Sequence, residues 1–260
     1  MNGIPDTPRQ HPYYPLGVAI PGYVAKVLTT QAILAIFTTT CLGILIPTCL
    51  YIRHARRDLP SGEVLTALWF VLCGFIHLGL EGKPEQTPID QPTSPKPASQ
   101  PPKLTKEPQG YFALNAHSIA SRSAIPAQLW KEYAFSDSRY LTADTFVVCM
   151  ETITAVFWGP LSFLCAWCIL ADHPLRHPLQ SIVSLGQLYG DVLYYATFTF
   201  DFVISGIEYS RPEPAYFWGY FVFLNAFWIV IPTCLLARST RETARAFTAL
   251  KQASPGGRAK

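Results

Sequence analysis

Four pairs of residues have the types and spacing to move protons or hold a cation in apolar surroundings. Glu151 lies in the run TFVVCMETITAVFWGP (residues 145–160), with apolar residues on both sides. A carboxylate at the bilayer centre costs about 2.5–3.5 kcal/mol on insertion scales, so an acid at that depth argues for a function. Thr154 sits three residues on, on the same helical face. In its acid form Glu151 can give a proton; ionised, it can take one or face a positive charge. His77 and Glu81 are four apart at the end of VLTALWFVLCGFIHLGLE (64–81). Periodicity alone leaves two readings for them, a proton-handling pair or a solvated helix end at headgroup depth. Asn225 and Trp228, three apart, share a third face. An asparagine there is commonly interhelical glue. An indole there is commonly packing, but beside buried acids its π face can stabilise a cation by ~0.5–2 kcal/mol. Gln187 and Asp191, four apart, read as a structural hydrogen-bond network.

The elements that must position these residues are membrane helices. The 260 residues are 50% hydrophobic and only 14% charged, against about 25% in a soluble domain. The apolar residues fall in blocks near the 20 or so that cross a bilayer. The pattern predicts an all-α, five-transmembrane-helix bundle with spans at about 31–52, 64–81, 144–171, 179–200 and 215–237. Residues 1–30 form a polar arm without the pattern of a cleavable signal peptide, so the first span is expected to direct insertion. Tyr13, Tyr14 and Tyr23 suit the headgroup zone. Residues 82–109, rich in Pro, Gln, Lys, Thr and Ser, predict a disordered insertion. Residues 238–260 form a basic tail. Arginines and lysines flank the first span's end, the turn 172–178 and the tail, which predicts a cytosolic C-terminus and an N-terminus outside or in a lumen. Gly186-x-x-x-Gly190 predicts a close helix approach.

A net charge of +3 without an aromatic-interleaved basic stripe excludes nucleic acid as the expected partner. The seven cysteines lie in or beside apolar segments and read as packing thiols. Cys165-x-x-Cys168 has no second pair or nearby histidine to complete a zinc site. There is no G-x-S-x-G, phosphate loop, dinucleotide fingerprint or H-x-x-H motif. The chemistry left is proton transfer on something lipophilic, with neither metal nor cofactor expected.

Five blocks then converge on a family: CGFIHLGLEG (73–82), LWKEYAFSDSRY (129–140), FVVCMETITAVFWGPLS (146–162), GQLYGDVLYY (186–195) and YFWGYFVFLNAFWIVIP (216–232). In order, and across most of residues 65–232, they closely resemble the emopamil-binding-protein family of sterol Δ8–Δ7 isomerases, in the EXPERA superfamily. The resemblance implies five helices in the endoplasmic reticulum membrane around a sterol cavity, and a cofactor-free shift of C8=C9 to C7=C8 through a carbocation. It gives His77 and Glu81 the look of a proton-donating and relay pair. Glu151 would handle the second proton or face the cation, oriented by Thr154. Trp228 would stabilise the cation, Asn225 would hold a hydrogen-bond network, and Tyr133 and Tyr140 would stand near the cavity mouth. The expected partners are a sterol and the lipid bilayer, with a homodimer left open. Two other readings stand beside the enzyme: a non-catalytic binder of sterols or lipophilic amines, and an isomerase of another terpenoid. One departure falls at Glu81-Gly82, where family members run directly into the aromatic stretch that here resumes at Gly110-Tyr111-Phe112. Residues 82–109 therefore also read as an in-frame intron retained in the gene model, which transcript sequencing decides.

Overall fold

In the computed structural model the described residues are 11–80 and 111–253, and every element among them is helical. Glu81 and the proline-rich segment 82–109 lie outside the described residues, and so do the expectations placed on them.

Helix α1 (Thr30–Ala55) is capped by the Thr29 hydroxyl, which accepts from the Ala32 N–H at 3.2 Å. It buries Ile33 and Ile52 and turns Leu42, Ile46 and Leu50 outward, as a helix facing lipid does. Helix α2 (Ser61–Phe75) continues into a wide π-turn, Ile76–Leu80. After the undescribed segment the chain resumes in α3 (Tyr111–Asn115), which packs against that π-turn, so the two flanks of the insertion lie side by side. A 3₁₀ turn and two short helices, α4 (Ile125–Tyr133) and α5 (Arg139–Thr142), lead to the next long rod. That rod is α6 (Thr145–Ile153), a π-segment (Thr154–Trp158) and α7 (Gly159–Leu170). Pro160 lacks an N–H for the regular ladder. The helix widens just before it, with the Gly159 N–H reaching back to the Thr154 carbonyl. Helix α8 (Arg176–Ser205) ends at Gly206, whose φ of 64° is the left-handed cap that glycine accepts. The last rod is a long π-segment (Ala215–Leu224) joined to α9 (Asn225–Ala253), so the basic tail is helical as far as Ala253.

Among the described residues four rods are long and apolar enough to cross a membrane: Thr30–Ala55, Ser61–Gly79, Thr145–Leu170 and Ala215–Ala253. Two cores close the bundle at its ends. One joins Tyr13 and Tyr23 of the arm to α3–α5, Val147 of α6, Tyr194 and Phe198 of α8, and Phe221. The other joins Ile52, Phe70, Cys165, Ile169, Val183 and Leu235 at the opposite end. The arm belongs to the first core, where the headgroup zone was expected for its tyrosines. The Tyr13 hydroxyl donates to the Lys131 carbonyl at 3.0 Å and its ring stacks on Phe135 at 5.0 Å. Lys131 Nζ donates to the Val24 and Arg122 carbonyls, each at 2.6 Å. Protein carbonyls thus meet the phenol and the ammonium, and both groups bury without loss of hydrogen bonds.

At the other end Glu63 accepts from both Arg176 and Arg238, tying α2 to α8 and α9. Of the two glycines of the G-x-x-x-G, Gly186 has the close neighbour: a Cβ there would clash with the Trp158 ring. A Cβ at Gly190 would meet nothing within 4 Å. The close approach is thus an indole laid on one glycine. Cys73, Cys165 and Cys168 are buried, while Cys149 and Cys234 are exposed on the rods.

Candidate functional site

Between the two cores the helices turn polar side chains inward, and each of three rods changes its winding there. His77 is in the π-turn that ends α2, the second π-segment starts three residues after Glu151, and the third ends at Asn225. Single π-turns inside helices recur at functional sites, because they aim a side chain that regular winding would turn away.

Glu151 is buried, and the Tyr140 hydroxyl donates to its Oε1 at 2.6 Å. Tyr140 comes from α5, which is fixed by a buried ion pair. The Arg139 guanidinium meets Asp137 at 2.7 Å, donates to the Thr197 hydroxyl at 2.9 Å and lies over the rings of Tyr194, Phe198 and Tyr209. Trp130 stacks on the Tyr140 ring at 4.9 Å, and Phe112 meets it edge-on at 5.2 Å. Burial, reinforced by the Glu151 charge, holds the Tyr140 phenol well above its ordinary range, so it remains a donor.

His77 is buried, and its ring lies 6.5 Å from that of Trp228, edge to face. Trp228 in turn packs on Trp69 of α2 at 5.4 Å. His77 and Asp191 both lie close enough to Glu151 for their charges to interact. His77 in the π-turn after α2, Glu151 of α6, Asp191 of α8 and Trp228 of α9 therefore lie near one another inside the bundle. Asn225 donates to the Tyr133 hydroxyl at 2.8 Å and to the Phe221 carbonyl at 2.7 Å. Tyr195 donates to the Val222 carbonyl at 2.7 Å, so the carbonyls freed by the third π-segment find donors.

Of the residues singled out by sequence, His77, Glu151, Trp228, Asn225, Tyr133 and Tyr140 line this region; Glu81 lies outside the described residues. The Thr154 hydroxyl donates to the Met150 carbonyl at 2.8 Å, a bond within its own helix. The Gln187–Asp191 network does not form: both polar atoms of the Gln187 amide and Asp191 Oδ2 are buried with no hydrogen-bond partner among the described residues. Tyr194 escaped sequence reasoning although the spacing carries it. It is three residues after Asp191 and seven after Gln187, on the same face, and its hydroxyl lies 3.4 Å from that of Tyr133. No cluster of three or more metal-ligating side chains occurs among the described residues.

Comparison with known proteins gives this arrangement a lineage. The profile of EXPERA (EXPanded EBP superfamily) matches residues 125–239. The chain is 38% identical to the 3-beta-hydroxysteroid-Delta(8),Delta(7)-isomerase of Mus musculus over 228 residues, 87% of this chain and 85% of the relative. It is 32% identical to a probable 3-beta-hydroxysteroid-Delta(8),Delta(7)-isomerase of Oryza sativa subsp. japonica over 240 residues, 92% and 95% of the two chains. An isomeliandiol synthase of Ailanthus altissima is 30% identical over 176 residues, 67% of this chain and 68% of the relative. Apolar rods with acids turned inward and near-full-length likeness to these isomerases agree: the chain belongs to the emopamil-binding-protein family of the EXPERA superfamily.

Proposed function

We propose that this protein is a sterol Δ8–Δ7 isomerase embedded in the membrane, converting a C8=C9 double bond to C7=C8. The observation that carries the reading is that Glu151 of α6 and His77 of the π-turn after α2 are both buried within charge-interaction range, with the Trp228 indole of α9 edge to face with His77 at 6.5 Å. A proton added at C9 leaves a carbocation at C8, and loss of a proton from C7 closes the new double bond. Electrons are neither gained nor lost, so the reaction balances with an acid, a base and a wall that tolerates positive charge. The two transfers fall to the His77–Glu81 pair and to Glu151. The Trp228 face lies toward the cation, Tyr140 orients Glu151, and Asn225 with Tyr133 holds the chamber wall. The likeness to an isomeliandiol synthase supports a second reading, an isomerase of another terpenoid with the same acids.

Helix α8 supplies the fifth crossing in this reading. Its thirty residues reach about 45 Å. Its outward face carries exposed Ile182, Leu185, Tyr189 and Val192, and its lower hydropathy comes from the polar stripe turned inward. The basic ends around Arg56, Arg176 and Arg238 support a cytosolic C-terminus, and the family likeness supports the endoplasmic reticulum membrane.

Expression in an isomerase-deficient yeast grown in deuterated water tests the assignment. The expected product is a Δ7-sterol with deuterium at C9, read by mass spectrometry. Unchanged Δ8-sterol in cells that accumulate the protein sinks it, and a rearranged triterpenoid supports the second reading. Tyr140→Phe keeps the stack on Trp130 and removes the donor to Glu151. Hydrogen bonds to charged groups contribute about 1.5–3 kcal/mol, so kcat is expected to fall about 10- to 100-fold with protein level unchanged. A wild-type kcat in microsomes would remove Tyr140 from the orienting role.

A further inference from the structure

We propose that the inward face of α8 is a hydrated proton track that connects Glu151 with the basic end of the bundle and resets the two acids between turnovers. The proposal rests on the isomerase reading above.

Gln180, Ser184, Gln187 and Asp191 are spaced by four, three and four residues, so they form one stripe on the helix. Gln180, Ser184 and Gln187 are buried. Each of the four has a buried polar atom without a hydrogen-bond partner among the described residues: Gln180 Oε1, Ser184 Oγ, both ends of the Gln187 amide, and Asp191 Oδ2. One such atom left dry costs about 1–3 kcal/mol. Bound water, making two to four hydrogen bonds each, is the ordinary remedy in protein interiors. Consecutive members are about 4.5–6 Å apart along the axis. One water with a hydrogen bond of about 2.8 Å on either side bridges that step. The four residues thus place water in single file over about 16 Å.

Both ends of the stripe lead somewhere. Asp191 lies within charge-interaction range of Glu151, so the inner end of the stripe approaches the buried acid. At the outer end Gln180 Nε2 donates to the Leu235 carbonyl at 3.3 Å. One turn further out, partly exposed His177 lies 3.4 Å from the Ser239 hydroxyl, beside the Glu63–Arg176 pair. The other end of the bundle is closed by the aromatic core that holds the arm.

The chemistry calls for such a route. After each turnover the acid that gave its proton to C9 is ionised, and the base that took the C7 proton is protonated. No net proton is consumed, but one must leave the base and one must reach the acid before the next substrate reacts. The track lets both exchange with water. Without it, the C7 hydrogen of one substrate is handed to C9 of the next. Gln187 and Ser184 act through the water they hold, as positioning residues for Asp191 and Glu151.

The test uses the full-length protein in phospholipid nanodiscs, ordinary water, and a Δ8-sterol carrying two deuterium atoms at C7. The readouts are kcat, KM and the deuterium found at C9 of the product. Ser184→Val and Ser184→Thr have the same shape and differ in the hydroxyl. Ser184→Val is expected to lower kcat about tenfold, below the usual contribution of a direct acid or base because it touches only the carrier. KM should hold and C9 deuterium should rise severalfold, while Ser184→Thr behaves as wild type. Gln187→Met, similar in length without the amide, should repeat the Val result, and it decides the matter if the Ser184 variants do not fold. Wild-type kcat and label at C9 in the folded Val and Met variants would overturn the track while leaving the isomerase intact. Failure of the unaltered protein to form any Δ7-sterol would overturn the isomerase reading, and the track with it.

Discussion

Glu151→Gln is expected to abolish isomerisation of a Δ8-sterol while the protein still accumulates and folds. Glutamine keeps the shape of the side chain and its carbonyl can still accept from the Tyr140 hydroxyl, now 2.6 Å from the carboxylate. What it loses is the ability to take or give a proton, and a positioned acid or base contributes about 10²- to 10⁴-fold. The expected kcat therefore falls by at least about two orders of magnitude, with the thermal transition of the purified protein little moved. A variant that turns over at the wild-type rate would take Glu151 out of the chemistry and leave it a buried hydrogen-bond acceptor.

The second large effect is expected at Trp228. Replacement by alanine removes the ring that faces His77 at 6.5 Å and packs on Trp69 at 5.4 Å. A cation–π contribution of ~0.5–2 kcal/mol converts to a loss of about 2- to 30-fold, to which the cavity left beside Trp69 adds. Phenylalanine retains a π face in the same place, so Trp228→Phe should lose much less than Trp228→Ala. Equal losses in the two would show that the indole acts by volume alone.

The apolar residues on either side of Glu151 argue for a buried position, and the structure buries it. Its hydrogen-bond donor was not legible in the sequence. Tyr140 is eleven residues earlier and on another helix, brought in by the left-handed turn at Ala143 (φ 53°) and the Asp144 cap on α6. Spacing on one helix gives a shared face and says nothing about what stands opposite. For that reason Thr154, on the same face as Glu151, looked like its orienting group but bonds to its own helix. Gln187 and Asp191 likewise looked like a closed network, and their buried polar atoms have no hydrogen-bond partner among the described residues. The partner of the arm was not legible either: only the fold supplies the carbonyl that receives the Tyr13 hydroxyl.

By itself the sequence determined that the chain is helical and membrane-embedded, and that its acids sit on apolar helices. Run length, helical period and the cost of charge in hydrocarbon are local properties, written residue by residue. The tertiary structure alone decided which of those helices face one another. That is where Tyr140 meets Glu151 and Trp228 meets His77, because contact between segments far apart in the chain depends on packing that no single segment encodes.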